Sequence, residues 1–482
     1  MNSDDFRKYA HQLVDWMADY LETVGERRVV PDVEPGEIRE QIPGAPPEEA
    51  EPFERVFADF QDVIVPGMTH WNHPGWFAYF PANHSPPSIL GEMLTATIGA
   101  QCMSWQTSPA ATELEQVVMG WLSQMLGLPD GFTGVIQDTA STSTLVALLT
   151  AREKATGHGF GKSGSAAEGA DKLVVYASSE AHSSIAKGVK LAGFGLENLR
   201  GVPVDETFAM RPDQLREMIE ADLADGLVPA CVVSTVGTTS STAIDPVRAI
   251  GEICQKHGVW HHVDAAYAGS AAVLPEKRDI LDGMELVDSF VFNPHKWLLT
   301  NFDCSAYFVR DVDELLHTCQ RQAEYLKTDF DEDAPNFRDW GIPLGRRFRA
   351  LKLWFVIRTY GVEGLRQMIR AHIDMAQTFR GWVEDDPRFE PLAPSPFGLV
   401  CFRYHPPELD ASDPSAEAEL DRLNEKLLRE VNADGRVHLT HTRLAGRYTL
   451  RMAIGQWQTT LDDVELAWRL ICEKVDLVAG ES

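Results

Sequence analysis

Short β-rich runs that alternate with helix-like stretches across the middle of the chain constrain its fold more than any other feature. The runs lie at residues 172–176, 230–236, 259–263, 289–292 and 305–309, and segments such as 211–224 and 246–257 between them carry helical apolar spacing. Strands connected through helices form a mostly parallel sheet with both faces covered, which is an α/β fold. On either side the pattern changes. Phe6, Ala10, Leu13, Met17, Tyr20 and Val24 mark an amphipathic helix capped near Ser3 and Asp4, and six prolines between positions 31 and 52 mark an extended connector. Residues 88–98, 109–126, 145–154 and 347–360 read as helices. Runs at 399–404, 437–442 and 448–454, the last two about Ala445-Gly446, and a final helix predict a smaller α+β region.

With 482 residues, 44% of them hydrophobic, the chain can bury a large core in more than one domain. Its 72 acidic and 43 basic residues give a net charge of −29, which excludes a general affinity for nucleic acid or anionic lipid. Seven scattered cysteines with no C-x-x-C pair argue against a disulfide framework or zinc cluster and fit a reducing, cytoplasmic setting. The first residues hold no basic region and apolar core, and no apolar run reaches the ~18 residues of a membrane span. Neither export nor a membrane partner is expected.

The chemistry gathers at strand ends. Asn293-Pro294-His295-Lys296-Trp297 follows the apolar run Phe290-Val291-Phe292, so a lysine stands where a buried strand ends in a proline-stiffened turn. Desolvation there disfavours the ammonium and yields an amine able to condense with an aldehyde. In His261-His262-Val263-Asp264-Ala265-Ala266-Tyr267-Ala268-Gly269 a carboxylate ends an earlier strand, with small residues behind it. It can keep a pyridine nitrogen protonated, while Ala266 leaves room for the ring face. Thr139-Ala140-Ser141-Thr142 stands before a helix-like stretch, where hydroxyls and free N–H groups would meet an anion. Ala181-His182-Ser183-Ser184 offers an imidazole to stack on the other ring face. Singly, these are a surface lysine, a turn aspartate, an N-cap and a structural histidine. In this order, as a set, they are what pyridoxal 5'-phosphate on a parallel sheet requires.

At these residues the chain resembles the aromatic L-amino-acid decarboxylase family, the group II pyridoxal-phosphate-dependent decarboxylases. The resemblance is carried by Phe77-Ala78-Tyr79-Phe80-Pro81, Ser108-Pro109-Ala110-Ala111-Thr112-Glu113-Leu114-Glu115, His262-Val263-Asp264-Ala265-Ala266-Tyr267, Asn293-Pro294-His295-Lys296-Trp297 and Leu344-Gly345-Arg346-Arg347-Phe348. It implies the fold-type I pyridoxal-phosphate-dependent transferase architecture. The expected parts are an N-terminal helical dimerisation segment over 1–85, a large cofactor-binding α/β domain over 86–359 and a small C-terminal α+β domain over 360–482. By resemblance Lys296 carries the cofactor, Asp264 pairs with its ring nitrogen and His182 stacks on the ring. Thr139, Ala140, Ser141 and Asn293 receive the phosphate, and Thr239, Ala266 and His295 complete the surroundings. Trp71, Tyr79, Phe80, Pro81, Ala82, Met103 and Gly345 border the substrate, and Gln101, Cys102 and Met103 match a segment given by the neighbouring subunit of an obligate homodimer. No metal is expected.

The same resemblance bears on the product. The decarboxylases protonate the substrate carbon with a loop tyrosine in a Tyr-Leu-Lys run, matched by Tyr325-Leu326-Lys327 before the acidic stretch Asp329, Asp331, Glu332 and Asp333, which reads as a solvated loop. In related plant aldehyde synthases phenylalanine replaces that tyrosine, and the product is an aromatic acetaldehyde with ammonia and peroxide. Tyr325 and His182 together therefore predict the amine, with oxidative deamination as the alternative. The chain departs from the family pattern at Asp138, Phe337, Ala82 and Met103, where relatives carry glycine, tyrosine, a hydroxyl residue and an aromatic; the last two leave the preferred aromatic substrate open. Gly345 matches a position where plant relatives with glycine accept indoles and those with serine accept phenols. From another class, His262, Asp264 and His295 imitate the two-histidine, one-carboxylate site of iron oxygenases. A non-catalytic binding protein on this fold is a third reading.

Overall fold

The computed structural model describes all residues except 321–323, 327–329, 331–332, 410–413 and 481–482, and the backbone alone at 325, 414–415 and 479–480. Lys327 and the acidic residues 329, 331 and 332 thus lie outside the described residues. The chain forms two compact units, one of residues 1–81, 381–390 and 402–482, the other of residues 82–380 and 391–401.

The second unit holds a seven-stranded sheet of β1 (Thr133–Gln137), β2 (Leu173–Ser178), β3 (Leu199–Val202), β4 (Val228–Thr235), β5 (Trp260–Asp264), β6 (Ser289–Phe292) and β7 (Ser305–Val309), in the order β1-β7-β6-β5-β4-β2-β3. Neighbours from β6 through β3 are parallel, while β7 runs antiparallel to both β6 and β1. The predicted sheet is therefore present, with two strands that the apolar pattern did not mark, β1 and β3. Side-chain alternation explains why it is covered twice. On one face Val175, Ala177 and Val233 pack with Val146, Leu148 and Val189, and on the other Val174, Tyr176 and Val232 pack with Ile219, Ile250 and Cys254.

Most of a second, four-stranded sheet, ordered β10-β11-β9-β8, lies in the first unit: β8 (Phe389–Pro391), β9 (Leu399–Tyr404), β10 (Thr440–Leu444) and β11 (Arg447–Ala453). Leu444 faces Arg447 across a two-residue turn in which Ala445 (φ 49°) and Gly446 (φ 83°) are both left-handed, the backbone that a tight hairpin needs. Helix Ser3–Thr23 starts at Asn2, whose side chain accepts the Asp4 and Asp5 amides, so the cap stands one residue before the predicted one. No residue of that helix is buried in the single chain. The proline-rich connector is not wholly extended: Glu37–Gln41, its longest part able to donate every amide, forms a short helix. All seven cysteines are free. Among the described residues no helix is long and apolar enough to cross a membrane.

Candidate active site

The carboxyl ends of β5 and β6 place the two residues that matter most. Asp264 is the last residue of β5, only 5% exposed, and its Oδ1 accepts the Ala266 amide at 3.0 Å. The chain can turn tightly here because the following residues are small. A Cβ on Gly269 would stand 2.5 Å from Cβ of Phe292, and one on Gly237 would stand 2.5 Å from Cβ of Ala268. The Ala266 carbonyl then accepts the Asn293 amide at 3.0 Å, which joins the two strand ends.

Lys296 sits in a single helical turn, Pro294–Trp297, begun by a proline that needs no amide partner. Buried Trp297 anchors this turn: its ring stacks on Tyr267 at 4.7 Å and its Nε1 donates to Nδ1 of His372 at 2.9 Å. From the other side Nδ2 of Asn83 donates to the Lys296 carbonyl at 3.1 Å. Burial lowers the Lys296 pKa and the Asp264 carboxylate opposes that shift. The result is an amine more easily neutral than a surface lysine, held within the field of a carboxylate.

His182 enters the same field. It is the N-cap of helix Ser183–Leu191, and its Nδ1 accepts the Ser184 amide at 3.2 Å with the Ser184 hydroxyl at 2.8 Å. An Nδ1 that accepts an N–H leaves the proton of the neutral ring on Nε2. Desolvation lowers its pKa, Asp264 opposes the shift and Lys296 reinforces it. The structure brings His182, Asp264 and Lys296 within one another's electrostatic reach.

The expected phosphate cradle is the N-terminus of helix Ala140–Ala155. Thr139 is its N-cap, Ala140 is buried and Ser141 is exposed. The Asp138 carboxylate folds onto the Thr139 amide at 2.6 Å. A hydroxyl relay ties the helix to the lysine turn: Ser143 Oγ lies 3.5 Å from Ser305 Oγ, which donates to Oδ1 of Asn293 at 2.7 Å. Thr239 is exposed in the turn after β4, at the same edge of the sheet. His295 is buried, its Nδ1 accepts the Cys304 amide at 2.9 Å, and burial helped by Lys296 pushes its pKa down to about 3.

The predicted substrate residues divide between the units. In the first, Trp71 and Tyr79 stack with centroids 5.5 Å apart, the Arg451 guanidinium lies 5.4 Å from the Phe80 ring, and Pro81 is buried. In the second are Ala82, Met103 and Gly345. Met103 and Gly345 lie on one ledge: the Met103 carbonyl accepts the Arg338 amide at 2.9 Å, Cys102 N–H donates to the Arg346 carbonyl at 3.0 Å, and Gln101 Oε1 accepts the Arg346 amide at 2.7 Å. A small cavity of about 90 Å³ beside this ledge is lined by Gln137, Asp138, Thr142, Gly345 and Arg349, among others, and does not include Lys296.

Sequence reasoning missed what holds the ledge. Glu115 and Arg346 form a buried ion pair at 2.6 Å, in which Glu115 also accepts the Ile136 amide and Arg346 donates to the Ile136 and Cys102 carbonyls. The hint was that one motif string carries two glutamates, Glu113 and Glu115, and another two arginines, Arg346 and Arg347. The loop tyrosine is a different case. Glu324–Leu326 is a 3-10 turn, and the Arg338 guanidinium donates to the Leu326 carbonyl at 2.8 Å; the Tyr325 side chain lies outside what is described.

The iron-type triad does not assemble. His262 uses its ring on Ser289 at 2.9 Å and Thr144 at 3.5 Å, and His295 faces Cys304, so His262, Asp264 and His295 do not converge on one point among the described residues. What does converge fits pyridoxal phosphate: a desolvated amine, a buried carboxylate, a neutral imidazole and a helix N-terminus, all at the carboxyl ends of strands.

Comparison with known proteins agrees. A family model described as the pyridoxal-dependent decarboxylase conserved domain matches residues 35–405. The chain is 45% identical to the aromatic-L-amino-acid decarboxylase of Bos taurus, over 98% of this chain and 96% of that one. It is 43% identical to a phenylacetaldehyde synthase of Arabidopsis thaliana, again over 98% and 96%. The crystal structure of Oryza sativa TDC with PLP and tryptamine superposes with a TM-score of 0.94 at 40% identity, covering 99% of this chain and 98% of that one. The two sheets and their helices are thus the fold-type I architecture. With the lysine, carboxylate and helix N-terminus placed on that fold, the chain belongs to the aromatic-L-amino-acid decarboxylase family and is a pyridoxal-phosphate-dependent carboxy-lyase.

Proposed function

We propose that the enzyme converts an aromatic L-amino acid, drawn from phenylalanine, tyrosine, dopa and tryptophan, to the corresponding amine and CO2. The observation that carries this reading is the shared field of Asp264 at the end of β5, Lys296 after β6 and His182 after β2. Pyridoxal phosphate, when bound, supplies an electron sink for the pair that departing CO2 leaves on the substrate carbon. Lys296 would hold it, Asp264 would keep its ring nitrogen protonated, and Thr139, Ala140, Ser141 and Asn293 would receive its phosphate, with Thr239, Ala266 and His295 alongside. The Ala266 amide fixes one oxygen of the Asp264 carboxylate, and the other oxygen would be the one to meet that ring nitrogen. His182 presents Nε2–H, since Ser184 occupies Nδ1.

The product depends on who protonates the carbon. In this reading Tyr325 delivers its hydroxyl proton to that carbon, and Arg338, by holding the Leu326 carbonyl, positions the turn that bears it. Trp71, Tyr79, Phe80, Pro81, Ala82, Met103 and Gly345 border the aromatic side chain. A homodimer is supported by helix Ser3–Thr23, which leaves Phe6 and Val14 uncovered in the single chain. Similarity to an aldehyde synthase as well as to decarboxylases favours one second reading, decarboxylation with oxidative deamination.

Product analysis in air with each of the four amino acids distinguishes the two, measured beside Tyr325→Phe. Amine is expected from the wild type, and less amine with more peroxide from the variant while CO2 release continues. Aldehyde and peroxide as the main wild-type products would reject the amine.

A further inference from the structure

We propose that His158, Glu314 and His317 form a binding site for one borderline divalent transition-metal cation, represented by Zn2+, away from the catalytic residues. One ligand-capable atom from each of the three lies within 4.8 Å of the others. Nε2 of His158 stands 3.6 Å from Oε2 of Glu314, and the two imidazole rings are 4.6 Å apart. A tetrahedral cation with bonds of 2.0–2.1 Å keeps its ligand atoms roughly 3.3 Å apart, so the first pair is already near that spacing. His317 is exposed, and rotation of its side chain closes the remainder.

The decisive observation is what these atoms lack. Oε2 of Glu314 and Nδ1 of His158 are both buried from solvent without a hydrogen-bond partner. The partnerless carboxylate oxygen is the same Oε2 that stands 3.6 Å from Nε2 of His158, a spacing at which a cation shared by the two would satisfy both atoms, and the partnerless Nδ1 is the other nitrogen of that ring.

Rigid elements hold the ligands. Glu314 and His317 are three residues apart on helix Val312–Cys319, so they share a face. His158 follows helix Ala140–Ala155 in the left-handed region (φ 62°), its amide bound to the Glu153 carbonyl at 2.7 Å. Two imidazoles and one carboxylate with space for water suit Zn2+, Co2+, Ni2+ or Cu2+; Mg2+ and Ca2+ prefer an all-oxygen shell. A bound cation would clamp the end of the cradle helix to the helix that precedes the Tyr325 segment.

The test uses the holoenzyme, stripped with chelator, incubated with Zn2+, desalted and assayed for retained metal and Tm. The wild type should retain one Zn2+ per chain with a raised Tm, and Mg2+ should not be retained. His317→Ala and His158→Asn, the latter chosen because asparagine tolerates the left-handed backbone, should bind Zn2+ at least roughly tenfold more weakly and lose the Tm rise. Co2+ adds a readout independent of stability, since visible d–d bands of low-coordinate Co2+ should appear in the wild type and vanish in the variants. No retained Zn2+ in the wild type, as for a plain His158–Glu314 ion pair, overturns the proposal. Equal retention and equal Co2+ bands in wild type and variants overturn it as well.

Discussion

Helix Ala140–Ala155 runs between two polar clusters that are held in opposite ways. At its N-terminal end stand Asp264, His182 and Asn293, each with a hydrogen bond already made: to the Ala266 amide, to Ser184 and to Ser305. Beyond its other end, about 24 Å away along the axis of a 16-residue helix, His158 and Glu314 keep buried atoms without any hydrogen bond. The first cluster is arranged before anything binds, so binding energy need not be spent on ordering it. The second is complete only when something stands between its members.

Replacing Lys296 breaks the first cluster most severely. Lys296→Ala should lower kcat by at least about 10³-fold and remove the visible absorption of the lysine-bound coenzyme, measured by turnover and spectrum. If the bound coenzyme's absorption persisted unchanged, the amine would lie elsewhere. Asp264→Asn keeps the shape but removes the charge, and a loss of about 10²–10³-fold in kcat is expected with the fold intact by circular dichroism.

Acid sharpens the contrast further. Burial pushes His261 and His295 down to about 3 and His84 and His262 down to about 4, whereas an unfolded imidazole titrates near 6.5. Because folded pKa values lie below the unfolded one, the unfolded chain binds more protons in acid. The stabilisation is full above about pH 6.5 and is lost as pH falls toward about 3–4. Urea midpoints measured from pH 7 down to pH 4 should fall steadily, and a flat profile would contradict the buried neutral rings. The smallest effect belongs to the second cluster: in metal-free buffer His317→Ala should leave kcat unchanged and shift stability by no more than about 0.5 kcal/mol, since its ring is exposed.

The contrast also explains what could be read from the chain alone. β6, β7 and β9 were legible to the residue because each is a mainly apolar, aromatic-containing run whose residues are all buried. Asp264 and Lys296 stood out because the first ends β5 and the second lies in the turn that follows β6. β1 and β3 were not: Thr133–Gln137 and Leu199–Val202 each contain glycine and too few large apolar residues to stand out. The helix predicted to end at position 360 does break there, since Gly361 adopts φ 64°, but a second helical stretch follows it directly. Glu115–Arg346 joins residues 231 positions apart, and His158 meets Glu314 only through the packing of two helices. No local pattern encodes such meetings, which arise only once the sheet has closed.

β1 lies at the edge of the large sheet with β7 as its one neighbour there, and β7 contributes residues 305–309. During synthesis the strand at 133–137 therefore waits for about 170 further residues before its backbone finds a partner. By then the ribosome has already made position 296. Lys296 follows β6, which β5 can already hold, so β1, the strand that leads into helix Ala140–Ala155, is made first and paired last.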